Sequence, residues 1–226
     1  MKRIRNLAAV AVAVMALVVA PLPASAATTN IHRDTAVGAL YSGNVRATLI
    51  QPVSVTTTLG TATCNTGNID ANVQSNGTAL NVTAFSFSNT PGPACPNSIG
   101  GSSTVTPVGL SWLGGDVVFA TGGGTVTIRN LKVSSVTTGW FGTLTCVYRG
   151  SGTGNSLTLT AYNPDNPARP VTTVNEAQAR ANGASLTKDS GSLLCPSSAT
   201  FSATFKLLGE KVAGSGTYDQ TLYLTS

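Results

Sequence analysis

Apolar and hydroxyl-bearing residues alternate through most of this chain. In "ATFSATFKL" (199–207), Phe201, Ala203, Phe205 and Leu207 fall on one side, and Thr200, Ser202, Thr204 and Lys206 on the other. That period of two is what a half-buried strand requires. "SLTLTAY" (156–162) repeats it with Leu157, Leu159 and Ala161 inward. Two stretches slip phase: "LNVTAFSF" (80–87) passes from Leu80 and Val82 to Phe85 and Phe87, and "TVTIRNLKV" (125–133) from Val126 and Ile128 to Leu131 and Val133. A slip of one residue inside a strand predicts a β-bulge. Further strands are predicted over 36–41, 45–50, 53–58, 61–65, 104–111, 116–120, 138–149 and 218–225, divided by turn clusters such as "NTPGP", "TGGG", "GSGTGN" and "NPDNP". One segment leaves the pattern. "NEAQARANG" (175–183) offers Asn175 as an N-cap, helix formers from Glu176 to Ala181 and Gly183 as a stop, predicting a short helix over 175–182. Many short antiparallel strands between regular turns predict an all-β sandwich, or two related ones.

The first residues follow another rule. Lys2, Arg3 and Arg5 precede an apolar run from Leu7 to Ala20, and Pro21, Pro23 and Ala24-Ser25-Ala26 follow it. This is the order of a secretory signal peptide, with cleavage predicted after Ala26 and an extracellular, released product without a membrane span. Three of the thirteen Lys and Arg lie in that leader, so the formal charge of +5 falls to +2 without it. The remaining cations are scattered, which argues against nucleic acid as a partner. The residues after the leader read as a first β unit over 27–135 and a second over 136–226, which can also form one continuous domain 27–226.

Four cysteines in a secreted chain predict two disulfides. Two phrases recur: "GTATC" ending at Cys64 and "GTLTC" ending at Cys146, then "CPNS" from Cys95 and "CPSS" from Cys195. A duplicated unit carrying its own bridge would look like this, so Cys64 is paired with Cys95 and Cys146 with Cys195. If Cys146 faces the core, parity also turns Trp140, Gly142, Leu144 and Tyr148 inward. Phe141, Thr143, Thr145, Val147 and Arg149 then face out.

The run "SWLGG…GTVTIRNLKVSSV…GTLTCVYRG…SLTLTAYN…LLCPSSATFSATFKL…LYLTS" resembles a group of small secreted actinobacterial β proteins with two disulfides. Phe205 stands where Tyr is commoner in that group, and the interval 163–189 is long. The resemblance implies an antiparallel immunoglobulin-like β-sandwich, and it transfers no catalytic residue.

Candidate chemistry is sparse. The one histidine beyond the leader, His32, sits on a predicted N-terminal arm without a positioned partner. The eight acids, Asp34, Asp70, Asp116, Asp165, Glu176, Asp189, Glu210 and Asp219, show no spacing that pairs two of them for hydrolysis. No catalytic residue and no cofactor are assigned. Asn163, Asp165 and Asn166 in "NPDNP" carry the oxygens that calcium takes, against a plain Pro-flanked turn. Trp112, Phe141 and Tyr162 are the aromatic residues placed to contact a ligand. Together these features predict a secreted, non-enzymatic β-sandwich with a structural, surface-associated or binding role, its partner an extracellular protein or cell-wall polysaccharide. The alternatives are a carbohydrate- or cell-wall-binding module, and a secreted hydrolase or an inhibitor of one presenting "NTPGPACPN" (89–97).

Overall fold

The computed structural model describes residues 28–226; the leader and its cleavage point lie outside the described residues. Fifteen strands follow one another: β1 (Asn30–Arg33), β2 (Gly43–Thr57), β3 (Gly60–Cys64), β4 (Thr66–Val73), β5 (Leu80–Ser88), β6 (Cys95–Pro96), β7 (Ser102–Pro107), β8 (Trp112–Ala120), β9 (Gly123–Ile128), β10 (Lys132–Gly139), β11 (Gly142–Gly150), β12 (Leu157–Tyr162), β13 (Ala177–Gly191), β14 (Ser198–Glu210) and β15 (Tyr218–Thr225). Eight of them, in the order β2, β4, β5, β8, β9, β12, β13, β14, close on themselves. Closure follows because β14 pairs with β13 along one edge and with β2 along the other. The architecture is thus an eight-stranded antiparallel β-barrel with peripheral strands. This corrects both the sandwich and the immunoglobulin-like fold implied by the resemblance, since each sheet of a sandwich keeps open edges. Alternation assigns a residue to a face, whereas closure depends on which strand lies alongside.

The peripheral strands make a ring of their own. β2 pairs with β4 over Gly43–Thr48 and with β3 over Val53–Thr57; β13 pairs with β12 over Gln178–Arg180 and with β11 over Leu186–Gly191. Each long strand therefore serves the barrel with one part and the peripheral strands with the other. Register shifts between Ser202 and Phe205 on β14 and between Ala181 and Ala184 on β13 mark where these strands bend. From β11 the sheet continues through β10 and β7 to β6. There Asn97 bridges to Ala62 beside β3, and the Ser98 N–H donates to the Thr61 carbonyl at 2.9 Å. The Cys64–Cys95 disulfide lies at this seam, and Cys146–Cys195 ties β11 to the β13–β14 loop. Both bridges join the cysteines that the recurring phrases paired. The barrel draws strands from either side of position 135.

Several local expectations are corrected. Residues 177–191 form β13, not a helix. Ala177, Ala179 and Ala181 are buried between β12 and β14, so pairing on both edges outweighs the helical preference of alanine. Gly183, with φ +68°, sits in the irregularity opposite β14 instead of at a helix stop. The slip within 80–87 is a bulge, with Val82 and Ala84 facing consecutive residues of β4. The slip at 129–130 is a break between two strands: β9 ends at Ile128, Asn130 takes φ +57°, and β10 begins at Lys132 in another part of the sheet. The strands expected over 45–50 and 53–58 are one, β2 (Gly43–Thr57), whose Pro52 lies in the register shift against β14, where its missing N–H costs no ladder bond. Residues 34–40 turn back on β1, and β4 supplies a strand where the alternation suggested none.

Apolar side chains of the alternating strands fill the inside. Leu157, Leu159 and Ala161, and Phe201, Ala203 and Phe205, are buried as their periodicity predicts. Phe87 lies 6.1 Å from both Phe201 and Phe205, Phe85 packs at 4.7 Å from Phe87, and Trp112 at 5.4 Å from Phe85. Gly67 makes room for this cluster, since a β-carbon there would come within 2.1 Å of the Phe87 ring. Gln178, fully buried, is satisfied by the backbone: its Nε2 donates to the carbonyls of Val171 and Val174, and its Oε1 accepts from the Val171 N–H.

Candidate functional site

Two apolar cavities, each of about 100 Å³, occupy the interior. The first fills the ring of peripheral strands. Val53, Val105, Val133, Leu144, Leu186 and Phe201 form its walls, and both disulfides contribute sulfur through Cys64, Cys95 and Cys146. It reaches outward to Leu59, Thr61, Asn97 and Ile99 in the β2–β3 and β6–β7 turns. The second lies in the eight-stranded barrel, against Val45, Ala47, Ala71, Val82, Ala179 and Phe205. Small residues explain the space: alanines at 47, 71, 161, 177 and 179 line a barrel of eight strands, whose interior larger side chains would fill. Ile69, Ile128 and Leu159 line both cavities and form the floor between them.

Among the described residues no Asp, Glu, Lys, Arg or His lines either cavity. The ionisable groups present are phenols. Burial raises the Tyr148 pKa, and its hydroxyl donates to the Pro196 carbonyl at 3.3 Å. Such a surface offers dispersion and desolvation to an apolar group and no proton donor or acceptor near neutrality. The apolar face of the barrel is its inner one, while Thr, Ser, Asn, Arg and Lys occupy much of the outer, the reverse of a barrel that faces lipid all round. Among the described residues no helix is long and apolar enough to cross a membrane.

Among the described residues, seven charged side chains form ion pairs on the outer surface. Arg46 grips Asp70 with two bonds of 2.6 and 2.7 Å, which raises its pKa, and stacks at 4.2 Å on the Tyr218 ring. Asp189 receives Lys132 at 2.7 Å and Arg149 at 3.7 Å. Glu210 is buried and accepts the N–H groups of Gly214 (2.7 Å) and Gly216 (2.9 Å) and the amide of Asn44 (3.1 Å). The Gly214 bond is the largest of several contributions that hold its carboxyl below the usual range.

No family model, curated protein or solved structure matches the chain. The site is therefore read from its own geometry.

The structure disperses the ligand-contact candidates. Trp112 is 1% exposed in the core and donates its indole N–H to the Val108 carbonyl at 2.9 Å, so it offers no surface. Tyr162 is half-buried in the wall of the second cavity. Phe141 is half-buried against Trp140, and parity fails for this pair. Leu144, Cys146 and Tyr148 do point inward, but β10 and β11 are separate strands joined at Trp140–Phe141, where Gly142 takes φ +89°. A turn resets the alternation, leaving Trp140 83% exposed. In the "NPDNP" loop, Asn163 is buried with its Oδ1 accepting from Leu224 N–H and its Nδ2 donating to the Leu224 carbonyl. Asn166 holds Gly122 and Ala168. Two of the three oxygens proposed for calcium are thus engaged in fixing the loop, and among the described residues no three His, Cys, Asp or Glu gather in a metal-holding group. His32 belongs to β1, bonded to the Gly38 carbonyl and to Thr225. Sequence reasoning missed Leu59, Ile99 and Val105. Their local signals were turn and strand-edge signals, and only the closing of the ring turns them toward a common space.

Proposed function

We propose that this protein binds a small or slender apolar ligand in the cavity sealed by its two disulfides. The observation that carries the reading is a cavity of about 100 Å³ lined almost wholly by hydrocarbon and sulfur. Interiors are normally packed nearly without voids. At roughly 24 cal/mol per Å³, such an opening costs about 2 kcal/mol in an empty fold. An apolar guest recovers that loss, and engineered apolar cavities of about 150 Å³ take up benzene. The fitting class is an aromatic ring of about that size, or a short alkyl segment with any polar end left near Asn97 and Thr61. Linings whose described ionisable groups are the phenols Tyr148 and Tyr162 alone support binding over catalysis. The pairing of all four cysteines supports an oxidising compartment as the place of action.

Toluene and hexanol are suitable probes. At a hundred times the dissociation constant, a ligand of the native state adds about 2.7 kcal/mol, which in a chain of this size raises Tm by about 5–10 °C. Val105→Phe, which fills the space from the wall, should abolish the rise while keeping the far-ultraviolet spectrum. An unchanged Tm at saturation, or an equal rise in Val105→Phe, would refute the reading.

A further inference from the structure

We propose that the end of the molecule bearing Trp140 docks into the interface of a lipid bilayer. Trp140 stands at the apex of the β10–β11 hairpin, 83% exposed, with Phe141 edge-on at 5.4 Å. The β13–β14 loop, pinned beside Thr145 by the Cys146–Cys195 bond, carries Leu193 at 98% and Leu194 at 68% exposure. On the outer face between them, Val136 pairs with Thr145. Trp140, Leu193 and Leu194 stand on turns between strands. The four segments forming this end, 57–61, 96–101, 137–145 and 191–197, contain no charged residue at all. Lys188 reaches the edge of this end, where its ammonium donates to the Ser192 carbonyl at 2.7 Å.

Single exposed leucines are ordinary on protein surfaces. A tryptophan at a turn apex, a pair of leucines on the neighbouring loop and a lysine at the edge of otherwise uncharged segments are the composition of an interfacial anchor. Tryptophan is suited to the headgroup boundary because its ring is apolar and its N–H can stay wet. Shape favours lipid over a folded partner. A rigid surface would need a separate recess for each projection, whereas a fluid interface accepts them without matching contours. An uncharged end suits a zwitterionic bilayer, which demands no countercharge.

The same end is the outer limit of the disulfide-sealed cavity. Ile99 lines that cavity and also lies over the hairpin: a β-carbon on Gly139 would sit 2.7 Å from Ile99 Cδ1 and 3.3 Å from Phe141. A ligand of low water solubility resides in the bilayer, so docking there brings the cavity to its supply. This role as a doorway rests on the apolar-ligand reading; the docking itself does not.

The chain contains two tryptophans, and Trp112 is already buried, so a vesicle-induced emission shift reports on Trp140. With the disulfide-intact protein and phosphatidylcholine vesicles, we expect a blue shift and co-sedimentation that persist at 0.5 M salt as an order-of-magnitude ionic strength at which surface charge is screened. Trp140→Ala, and Leu193→Ser with Leu194→Ser, should each weaken partitioning by about tenfold or more, with Tm unchanged. No shift and no co-sedimentation overturns the proposal. So does association that disappears in salt, or a shift that appears only when the protein self-associates without vesicles. Val105→Phe separates the two readings. It should lose toluene uptake and keep vesicle binding. Uptake without vesicle binding defeats docking alone, and the converse defeats the ligand reading alone.

Discussion

Removing the Cys64–Cys95 bond should open the seam of the peripheral ring before it unfolds the barrel. Closing its 31-residue separation restricts the unfolded chain by about 3.7 kcal/mol at 25 °C, against about 4.1 kcal/mol for the 49-residue separation of Cys146–Cys195. Loop length alone thus predicts nearly equal losses for Cys64→Ala with Cys95→Ala and for Cys146→Ala with Cys195→Ala. The loops lie in sequence and neither encloses the other, so the two losses should add. The surroundings differ. Cys146 sits in β11, whose neighbours hold it through ladders on both sides. Between β3 and β6 the backbone connection is the Ala62–Asn97 bridge and the Ser98–Thr61 bond. Urea denaturation should show midpoints lowered by about 1.5 M in each case, taking a slope of about 2.5 kcal/mol per M. Hydrogen exchange should separate them. The first variant should lose protection at the Ser98 amide while β14 stays protected, and the second should leave the seam closed. A Ser98 amide equally protected with and without Cys64–Cys95, or a loss below about 1 kcal/mol, would refute the view that this bond holds the ring shut.

Three further outcomes follow from local geometry. The depressed Glu210 pKa means that the unfolded state binds more protons at moderately acidic pH. Its contribution is therefore present above the ordinary glutamate value and lost as pH falls through the folded-state value, and acid titrations of Tm should flatten in Glu210→Gln. Gln178→Leu strands the Val171 N–H, while the carbonyls of Val171 and Val174 keep the Val174 N–H and Arg169 Nε as donors, and calorimetry should show a loss of about 1–3 kcal/mol although the replacement is more apolar. Gly67→Ala drives a β-carbon into Phe87 and should cost about 1–3 kcal/mol. Adding Phe87→Leu should recover part of that, and strict additivity of the two changes would show that they do not meet.

The candidate site was far less legible than the strands. Trp112 was expected to be available to a ligand, yet its indole N–H finds a carbonyl inside the core. Trp140 was expected inside, because parity was carried through residues that turn out to be a hairpin apex. The walls of the first cavity come from twelve strands and four connecting segments far apart in the chain, including Leu59, Ile99, Val105 and Leu186, which share no local pattern. Asn163 read as a cation ligand because its side chain carries an oxygen, and the chain end at Leu224 takes that oxygen instead.

What the chain determined by itself was set by short-range physics. Period-two alternation placed Phe201, Phe205, Leu157 and Leu159 inside, because neighbouring side chains on a strand must point to opposite faces. The recurring phrases around Cys64, Cys95, Cys146 and Cys195 gave the disulfide partners. Only the tertiary structure decided that β14 has a neighbour on both edges, that 177–191 is a strand, and that the sheets close. Those outcomes rest on hydrogen bonds between residues far apart in sequence, such as Phe205 opposite Leu49 on one side and Ala179 on the other. Such pairings depend on where bends and bulges carry each strand, and alternation, which looks the same in a sandwich and a barrel, holds no record of them.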